Sequence, residues 1–186
     1  MSEKPILFNT EMVRAILDGR KSCTRRIIKQ DVDAMLNSPF HKEHPEVTDA
    51  QIINKLCHAP YQIGDILYVR ETWSEWEDGY VYKAWNEPFP QPGEFPAMKW
   101  HPSIHMPREA ARIWLKVTDV RVERLQDMTD DDAEAEGCFD YTSTALGFPD
   151  VWDSTIKGSD LDRYGWDANP WVWVIEFERC EKPEKR

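Results

Sequence analysis

Two polar side chains near the start of the sequence, Lys21 and Thr24, have the types and the spacing of a catalytic pair. A threonine hydroxyl becomes a nucleophile when a neighbouring base removes its proton, and a lysine amine is such a base once it has lost its own proton. Burial or another nearby cation favours that loss, and Arg20, Arg25 and Arg26 supply cations in the same segment. A basic turn exposed to solvent would contain the same residues, so the spacing alone leaves both interpretations open.

These two side chains can converge only if the chain turns between them. On a regular strand, Lys21 and Thr24 would point to opposite faces, whereas a turn that leaves a helix can bring them together. Gly19 stands where the left-handed residue at a helix C-terminus is expected. The sequence therefore predicts a helix that ends just before Arg20 and a strand that begins at Thr24.

A carboxylate that could complete proton transfer lies far away in the sequence, at the end of an acidic run. Thr129 precedes this run and is expected to begin a short helix that ends at Gly137, because acidic residues stabilise the first turn of a helix. Glu136 is the last acidic residue of the run, and the negative end of the helix dipole would raise its affinity for a proton. This position suits a group that gives a proton to a departing atom.

A third candidate region is rich in tryptophan and proline and begins where a predicted strand ends. Arg70 and Glu71 could contact a substrate there, and the ring of Trp73 could stack on a base. A salt bridge between Arg70 and Glu71, and packing of Trp73 against the body of the protein, are the alternatives.

Metal-binding patterns are weak in this sequence. Two histidine pairs, His41 with His44 and His101 with His105, have spacings that metal ligands can adopt, but a proline follows or interrupts each pair. The four cysteines are scattered and form no Cys-x-x-Cys pair, so neither a structural zinc site nor a disulfide is expected. We therefore predict reduced thiols, no metal and no other cofactor.

Charge and hydropathy limit the kinds of partner. The formal net charge of the 186 residues is −11, which repels long polyanions, so binding to long DNA is not expected. The basic residues between Arg20 and Lys29 favour a small or locally held ligand instead. No run approaches the ~20 apolar residues that cross a bilayer, and the N-terminus lacks the pattern of a signal peptide. We expect a cytoplasmic protein that makes no membrane contact.

Local patterns predict a mixed α+β structure in which strands outnumber helices. Helices are expected after Asn9 or Thr10 and at 48–56, 129–137 and 149–157, and strands at 6–8, 24–28, 66–70, 80–85, 112–125 and 171–177. This set favours a small β-barrel over a sheet built from βαβ units. We expect a single domain over residues 1–180, with insertions at about 71–110 and 138–170, and a charged tail at 181–186.

The segment Gly19-x-Lys21-x-x-Thr24-x-Arg26 resembles the signature of the ASCH family, which reads Gly-x-Lys-x-x-Glu-x-Arg. Threonine in place of the glutamate is the pattern of the small bacterial N4-acetylcytidine amidohydrolases. Three further segments resemble the family in the same order, namely Ile63–Leu67, Met128–Gly137 and Val174–Phe177. Over most of its length the chain also resembles longer ASCH proteins of enterobacterial phages and prophages, which carry similar Trp-rich insertions.

The resemblance implies a PUA-like barrel and a specific role for each catalytic residue. Thr24 would be the nucleophile, Lys21 the base that activates it, and Glu136 the group that moves or positions a proton. Lys21 or Arg26 could stabilise the oxyanion. The reaction would be hydrolysis of the amide of an N4-acylated cytosine nucleoside, free or within a short RNA, without a metal.

Two other functions stay open at the level of sequence. PUA-like barrels often hold RNA, so a non-catalytic RNA-binding module is the first alternative, and an RNA-cleaving ASCH protein is the second. The net charge of −11 counts against both. A module that only binds RNA would have no need of Lys21 and Thr24 at this spacing.

Overall fold

The computed structural model describes residues 2–76, 79–84, 99–138 and 144–184 of the chain. The strands are β1 (Glu3–Leu7), β2 (Cys23–Ile27), β3 (Ile66–Arg70), β4 (Trp73–Trp76), β5 (Gly79–Tyr82), β6 (Trp114–Arg124) and β7 (Trp171–Cys180). The helices are α1 (Thr10–Leu17), α2 (Val32–Leu36), α3 (Pro39–Glu43), α4 (Asp49–Leu56), α5 (Asp130–Ala135), α6 (Thr144–Ser154) and α7 (Leu161–Tyr164). Short 3-10 helices lie at Ser103–His105, Arg108–Ala110, Leu125–Asp127, Gly158–Asp160 and Trp166–Ala168.

Five of the strands form one mixed sheet with the order β1-β3-β6-β7-β2. β1 runs parallel to β3, and the other neighbouring pairs are antiparallel. Among the described residues no backbone ladder joins the edge strands β1 and β2, so the predicted closed barrel is wrong. The connection between these edges is α1, which buries Val13 and Ile16 in the main core. The Arg26 side chain spans the edges instead, donating from Nη2 to the carbonyl of Leu7 at 3.1 Å.

The predicted ends of α1 are confirmed. The side chain of Asn9 accepts a hydrogen bond from the backbone N–H of Met12 at 2.8 Å, which satisfies one free donor of the first turn. Gly19 has a φ of 74° and ends the helix in the left-handed region. The chain therefore turns at Gly19 and enters β2 four residues later, at Cys23.

The acidic helix is also confirmed. Thr129 and Asp132 form a reciprocal capping box at the start of α5, in which each side chain accepts from the backbone N–H of the other. Glu136 caps the C-terminus, and Gly137 follows with a φ of 88°. The Glu136 carboxylate therefore stands at the end of the helix, as the sequence indicates.

The Trp-rich regions differ in detail from the prediction. The strand expected at 80–85 is β5, which pairs with β4 in a separate two-stranded sheet, and its predicted end at Trp85 lies outside the described residues. The helix expected at 149–157 is α6, which begins earlier in the chain. Residues 85–98 and 139–143 of the predicted insertions, and residues 185–186 of the predicted tail, also lie outside the described part.

Among the described residues, buried side chains gather in three clusters, of which the main one lies between the five-stranded sheet and the helices α1, α2 and α4. A second cluster contains Trp73, Met106 and Trp114. The third packs Phe148 and Trp152 of α6 against β7. No helix in the described ranges combines the length and the apolar character needed to cross a membrane.

Candidate active site

Lys21 is buried where the chain turns from α1 into β2. Gly19 directs the turn, and the backbone N–H groups of Arg20 and Lys21 both donate to the carbonyl of Ala15, at 2.8 and 3.0 Å. From this position the Lys21 ammonium donates to Oε2 of Glu136 at 2.6 Å. The two side chains are 0% and 5% exposed, so they form a buried ion pair.

The C-terminal end of α5 packs directly against the Lys21 turn. The backbone N–H of Ser22 donates to the carbonyl of Ala135 at 2.8 Å. A Cβ atom on Gly137 would lie 2.7 Å from Cβ of Ala15 and 3.2 Å from Cβ of Lys21. Because Gly137 has no side chain, α1, the Lys21 turn and the end of α5 can meet at this point.

Three acceptors surround the Lys21 nitrogen. Besides Oε2 of Glu136, the carbonyl oxygens of Cys23 and Glu136 accept from it, at 2.7 and 2.9 Å. An ammonium has three N–H donors and no lone pair, so these contacts fit the protonated amine. To act as a base toward Thr24, Lys21 must first give a proton away, and its closest acceptor is the Glu136 carboxylate.

Thr24 lies on β2, whose outer edge borders a cleft of about 210 Å³. We call this space the Thr24 cleft. Glu136 lines it as well, Met12 contributes from α1, and Phe148 and Trp152 contribute from α6. Thr24 and Glu136, both singled out from the sequence, thus line one space, and the Lys21 amine contacts the Glu136 carboxylate.

Backbone N–H and C=O groups alternate in direction along β2. This alternation determines which of them a ligand at the outer edge of the strand can reach. At the two ends of the strand, Ser22 and Ile28 make backbone hydrogen bonds to β7. Because backbone groups alternate in direction along an antiparallel strand, those of Cys23, Arg25 and Ile27 point outward, away from β7. The register of β2 on β7, with Thr24 opposite Ile175, agrees with this assignment.

Cationic side chains donate to two of the three outward carbonyls of β2. Lys21 donates to the carbonyl of Cys23, and Arg26 donates from Nη1 to the carbonyl of Arg25 at 3.4 Å. The outward N–H of Arg25 is thereby left as a hydrogen-bond donor next to Thr24. A backbone donor on the residue after a nucleophile is suited to stabilise the oxyanion of an acyl-transfer reaction.

The Arg25 side chain, which is 0% exposed, holds Glu136 from the other side. Nη1 lies 3.4 Å from Oε1 of Glu136, and Nη2 lies 3.2 Å from Oδ1 of Asp132. Burial acts against the charge of this guanidinium, but the carboxylates of Glu136 and Asp132 outweigh it and raise the pKa of Arg25. Arg25 is therefore a fixed cation. The sequence indicated the cation but not Asp132, its partner from α5.

The thiol of Cys23 lies in the same buried region without the properties of a nucleophile. Burial, followed by the negative charge of Glu136, raises the pKa of Cys23 to about 12. A thiol with such a pKa stays protonated at neutral pH, and the thiolate is the reactive form. Thr24 is thus a better candidate nucleophile than the cysteine beside it.

A comparison with solved structures finds a protein with the same fold. The ASCH domain from Lactobacillus crispatus JV V101 aligns with a TM-score of 0.50, covering 96% of this chain and 79% of that chain. The sequences are 12% identical. The chain has the ASCH fold. No protein-family model matches the sequence, and no match was found among curated proteins.

Arg26, which was predicted to bind substrate, lies close to the candidate catalytic residues in this ASCH fold. It lines the Thr24 cleft, and its guanidinium carbon lies 5.4 Å from the ring centroid of Phe8. Burial lowers the pKa of Arg26, although Tyr61 and Glu136 act in the opposite direction. The side chain remains a cation at neutral pH, because an arginine is protonated under all ordinary conditions.

The other three residues predicted to bind substrate lie in a different part of the ASCH fold. Glu71 is 1% exposed, and its carboxylate accepts two hydrogen bonds from Arg112, each of 2.9 Å. Its ion-pair partner is thus Arg112, whereas Arg70 donates to the carbonyl of Ile104. Trp73 is 6% exposed and packs in the second cluster. None of the three is among the described residues that line the Thr24 cleft, and their contact with substrate stays a prediction.

An aromatic wall of the cleft comes from α6 and was not singled out in the sequence. Phe148 and Trp152 lie four residues apart, and their ring centroids are 6.2 Å apart with an angle of 28° between the ring planes. The indole of Trp152 is fixed by a hydrogen bond that it donates to the carbonyl of Tyr164 at 2.8 Å. The available signal was a pair of aromatic residues four positions apart, Phe148 just before the helix predicted at 149–157 and Trp152 within it.

The first of the two histidine pairs noted in the sequence contacts carboxylates. His41 lies 2.8 Å from Oδ1 of Asp49, and His44 lies 3.0 Å from Oε1 of Glu46. Within the described ranges, no group of three or more histidine, cysteine, aspartate and glutamate side chains is arranged to hold a metal ion.

Proposed function

We propose that this protein is an amidohydrolase that removes the acyl group from N4-acylated cytosine nucleosides. The observation that carries the proposal is the buried 2.6 Å contact between Lys21 and Glu136, together with the cleft that Glu136 and Thr24 both line. The substrate class comes from the resemblance of the Lys21–Thr24 segment to the N4-acetylcytidine amidohydrolases. The ASCH fold is compatible with both.

The first half of the reaction acylates Thr24. Lys21 passes a proton to Oε2 of Glu136, which leaves a neutral amine and a carboxylic acid. The amine takes the proton of the Thr24 hydroxyl as its oxygen attacks the acyl carbon. The bond from that carbon to N4 then breaks, and N4 leaves as the cytosine amine after accepting the proton held by Glu136. Lys21 is then an ammonium and Glu136 a carboxylate again.

The second half hydrolyses the threonine ester. Glu136 takes a proton from a water molecule, whose oxygen attacks the ester carbon. The Thr24 oxygen leaves and recovers a proton from Lys21. The proton on Glu136 then returns to Lys21, which restores the starting ion pair and releases the carboxylic acid. No metal is needed, since the three side chains supply the nucleophile and both proton positions.

Two further groups support this chemistry. The N–H of Arg25 points away from β7 beside Thr24 and would donate to the oxyanion, a contribution of about 3–4 kcal/mol in comparable sites. The aromatic wall formed by Phe148 and Trp152 offers a face to the base, and such stacking contributes about 1–3 kcal/mol per base.

The test is hydrolysis of N4-acetylcytidine, followed by the loss of absorbance of the acylated base. Thr24→Val removes the hydroxyl while keeping the shape of a side chain that is 1% exposed, and should abolish turnover. Thr24→Ser keeps a hydroxyl and should retain measurable turnover. Thr118→Ala, which changes an exposed threonine on β6, is the control and should leave the rate unchanged.

The proposal fails if the wild-type protein is inert on a panel of N4-acyl cytosine nucleosides, or if Thr24→Val is as active as the wild type. A protein that is inert in this assay but retards or cleaves RNA on a gel would instead be the RNA-binding or RNA-cleaving module.

A further inference from the structure

A second cleft lies beside the Thr24 cleft, and the Arg26 side chain borders both. It has a volume of about 260 Å³ and opens between the end of β2 and the segment after α4. Lys29, His58 and Tyr61 line it, and we call it the Lys29 cleft. The predicted amidohydrolase chemistry makes no use of this space.

The lining of the Lys29 cleft is cationic, although the protein carries a net charge of −11. Arg26 and Lys29 are positive, His58 is an exposed imidazole, and none of the described lining residues carries a carboxylate. The backbone N–H of Ile27 points away from β7 on the same edge and adds a donor. A guanidinium, an ammonium and a backbone N–H are groups that bind phosphate oxygens.

The two clefts follow one another along β2. Thr24 and Arg26 are two residues apart on β2, so their side chains share a face and their Cα atoms are separated by about 7 Å. Lys29 follows shortly after the strand ends. Glu136 lines the Thr24 cleft but not the Lys29 cleft, so its carboxylate would repel a phosphate group in the Thr24 cleft. The charges therefore favour one orientation, with the base next to Glu136 and an anionic group next to Lys29.

We propose that the Lys29 cleft binds the phosphate group of a cytosine nucleotide whose base occupies the Thr24 cleft. This inference rests on the proposed function and narrows its substrate from a nucleoside to a nucleotide, either a free monophosphate or a residue of a short RNA. Arg26 then contacts both parts of the ligand, since it lines both clefts.

The test uses product-like ligands, so that it does not depend on turnover. Calorimetry with the intact protein compares cytidine, cytidine 5′-monophosphate, cytidine 3′-monophosphate and inorganic phosphate. At least one monophosphate should bind about tenfold tighter than cytidine, the factor expected from one charged hydrogen bond. The better of the two monophosphates identifies the side of the ribose that faces Lys29, and a 3′ preference indicates RNA.

A double variant, Lys29→Gln with His58→Gln, should lower the affinity for the monophosphate about tenfold and leave the affinity for cytidine unchanged. Lys55→Gln removes an equal charge from an exposed position on α4 outside the cleft, and should have little effect. The inference is wrong if neither monophosphate binds more tightly than cytidine, or if Lys55→Gln weakens binding as much as the double variant does.

These outcomes separate the two proposals. If N4-acetylcytidine is not hydrolysed but the monophosphate preference and its loss in the double variant are observed, only the amidohydrolase proposal fails. If the nucleoside is hydrolysed and the phosphate adds no affinity, only the phosphate site fails.

Discussion

The amine of Lys21 and the carboxylate of Glu136 are in direct contact at 2.6 Å, although 115 positions separate them in the chain. Arg25 contacts the other carboxylate oxygen at 3.4 Å, so Glu136 lies between two buried cations. This arrangement makes Glu136 the first acceptor for a proton that leaves Lys21. The carboxylate is therefore the residue on which the proposed exchange of protons depends.

Glu136→Gln tests that dependence. The amide keeps the shape of the side chain but can no longer receive the Lys21 proton, so kcat for N4-acetylcytidine should fall by about 10²–10⁴. Glu134→Gln is the matched control, because Glu134 is exposed two residues earlier in the same helical segment, and its kcat should stay at the wild-type level. Circular dichroism checks that both variants are folded. Wild-type kcat in folded Glu136→Gln would contradict the proton exchange.

Gly137→Ala should destabilise the protein more than an equivalent change at another glycine with a positive φ. Gly137 and Gly64 have φ values of 88° and 87°, but only the Cβ on Gly137 would meet other atoms, at 2.7 Å from Ala15. Gly64→Ala should cost about 1–2 kcal/mol from its left-handed backbone. Gly137→Ala should cost about 1–3 kcal/mol more through overpacking.

Urea denaturation of both glycine variants gives the two free energies of unfolding. Equal losses would mean that the Lys21 turn and α5 do not meet as closely as described.

Trp152→Leu should raise KM for the acylated nucleoside by about tenfold, because the loss of one stacking face removes about 1–3 kcal/mol of binding. Trp73→Leu is the comparison, since Trp73 is buried in the second cluster away from the Thr24 cleft. It should leave KM unchanged while lowering the free energy of unfolding. Steady-state kinetics at several substrate concentrations separate KM from kcat. A raised KM in Trp73→Leu alone would restore the stacking role that the sequence assigned to it.

Asp65 should contribute to stability in a manner that depends on pH. Burial alone would raise the pKa of its carboxyl group, but hydrogen bonds from Lys4, Ser2 and Gln62 lower it from 3.8 to about 2. Because the folded pKa lies below the unfolded one, the contribution is present above about pH 4 and is lost as the pH falls toward 2. It amounts to roughly 2 kcal/mol.

Asp65→Asn should therefore lower the free energy of unfolding at pH 7 and flatten its dependence on pH between 4 and 2, as measured by urea denaturation. Asp162→Asn, at an exposed position, is the control and should keep the wild-type slope. A wild-type slope in Asp65→Asn would show that other carboxyl groups produce the acid sensitivity.

Local sequence determined the elements that carry the site. Asn9 and Gly19 set the two ends of α1, Thr129 and Gly137 set those of α5, the turn at Gly19 indicated the start of β2, and alternating residues indicated β7. Each of these signals depends on hydrogen bonds or backbone angles within a few residues, so it can be recognised without knowledge of the rest of the chain. The candidates Lys21, Thr24 and Glu136 were named on this basis together with the family resemblance.

Tertiary structure alone decided which of those elements meet. The sequence did not show that the sheet leaves β1 and β2 as separate edges, that α6 would supply the aromatic wall, or that Glu71 would pair with Arg112 rather than Arg70. Strand order and side-chain contacts between distant segments depend on how buried surfaces pack. Patterns within a few neighbouring residues of the sequence do not predict that packing. The contact of Lys21 with Glu136 belongs to this second group, because it exists only where α5 closes against the turn after α1.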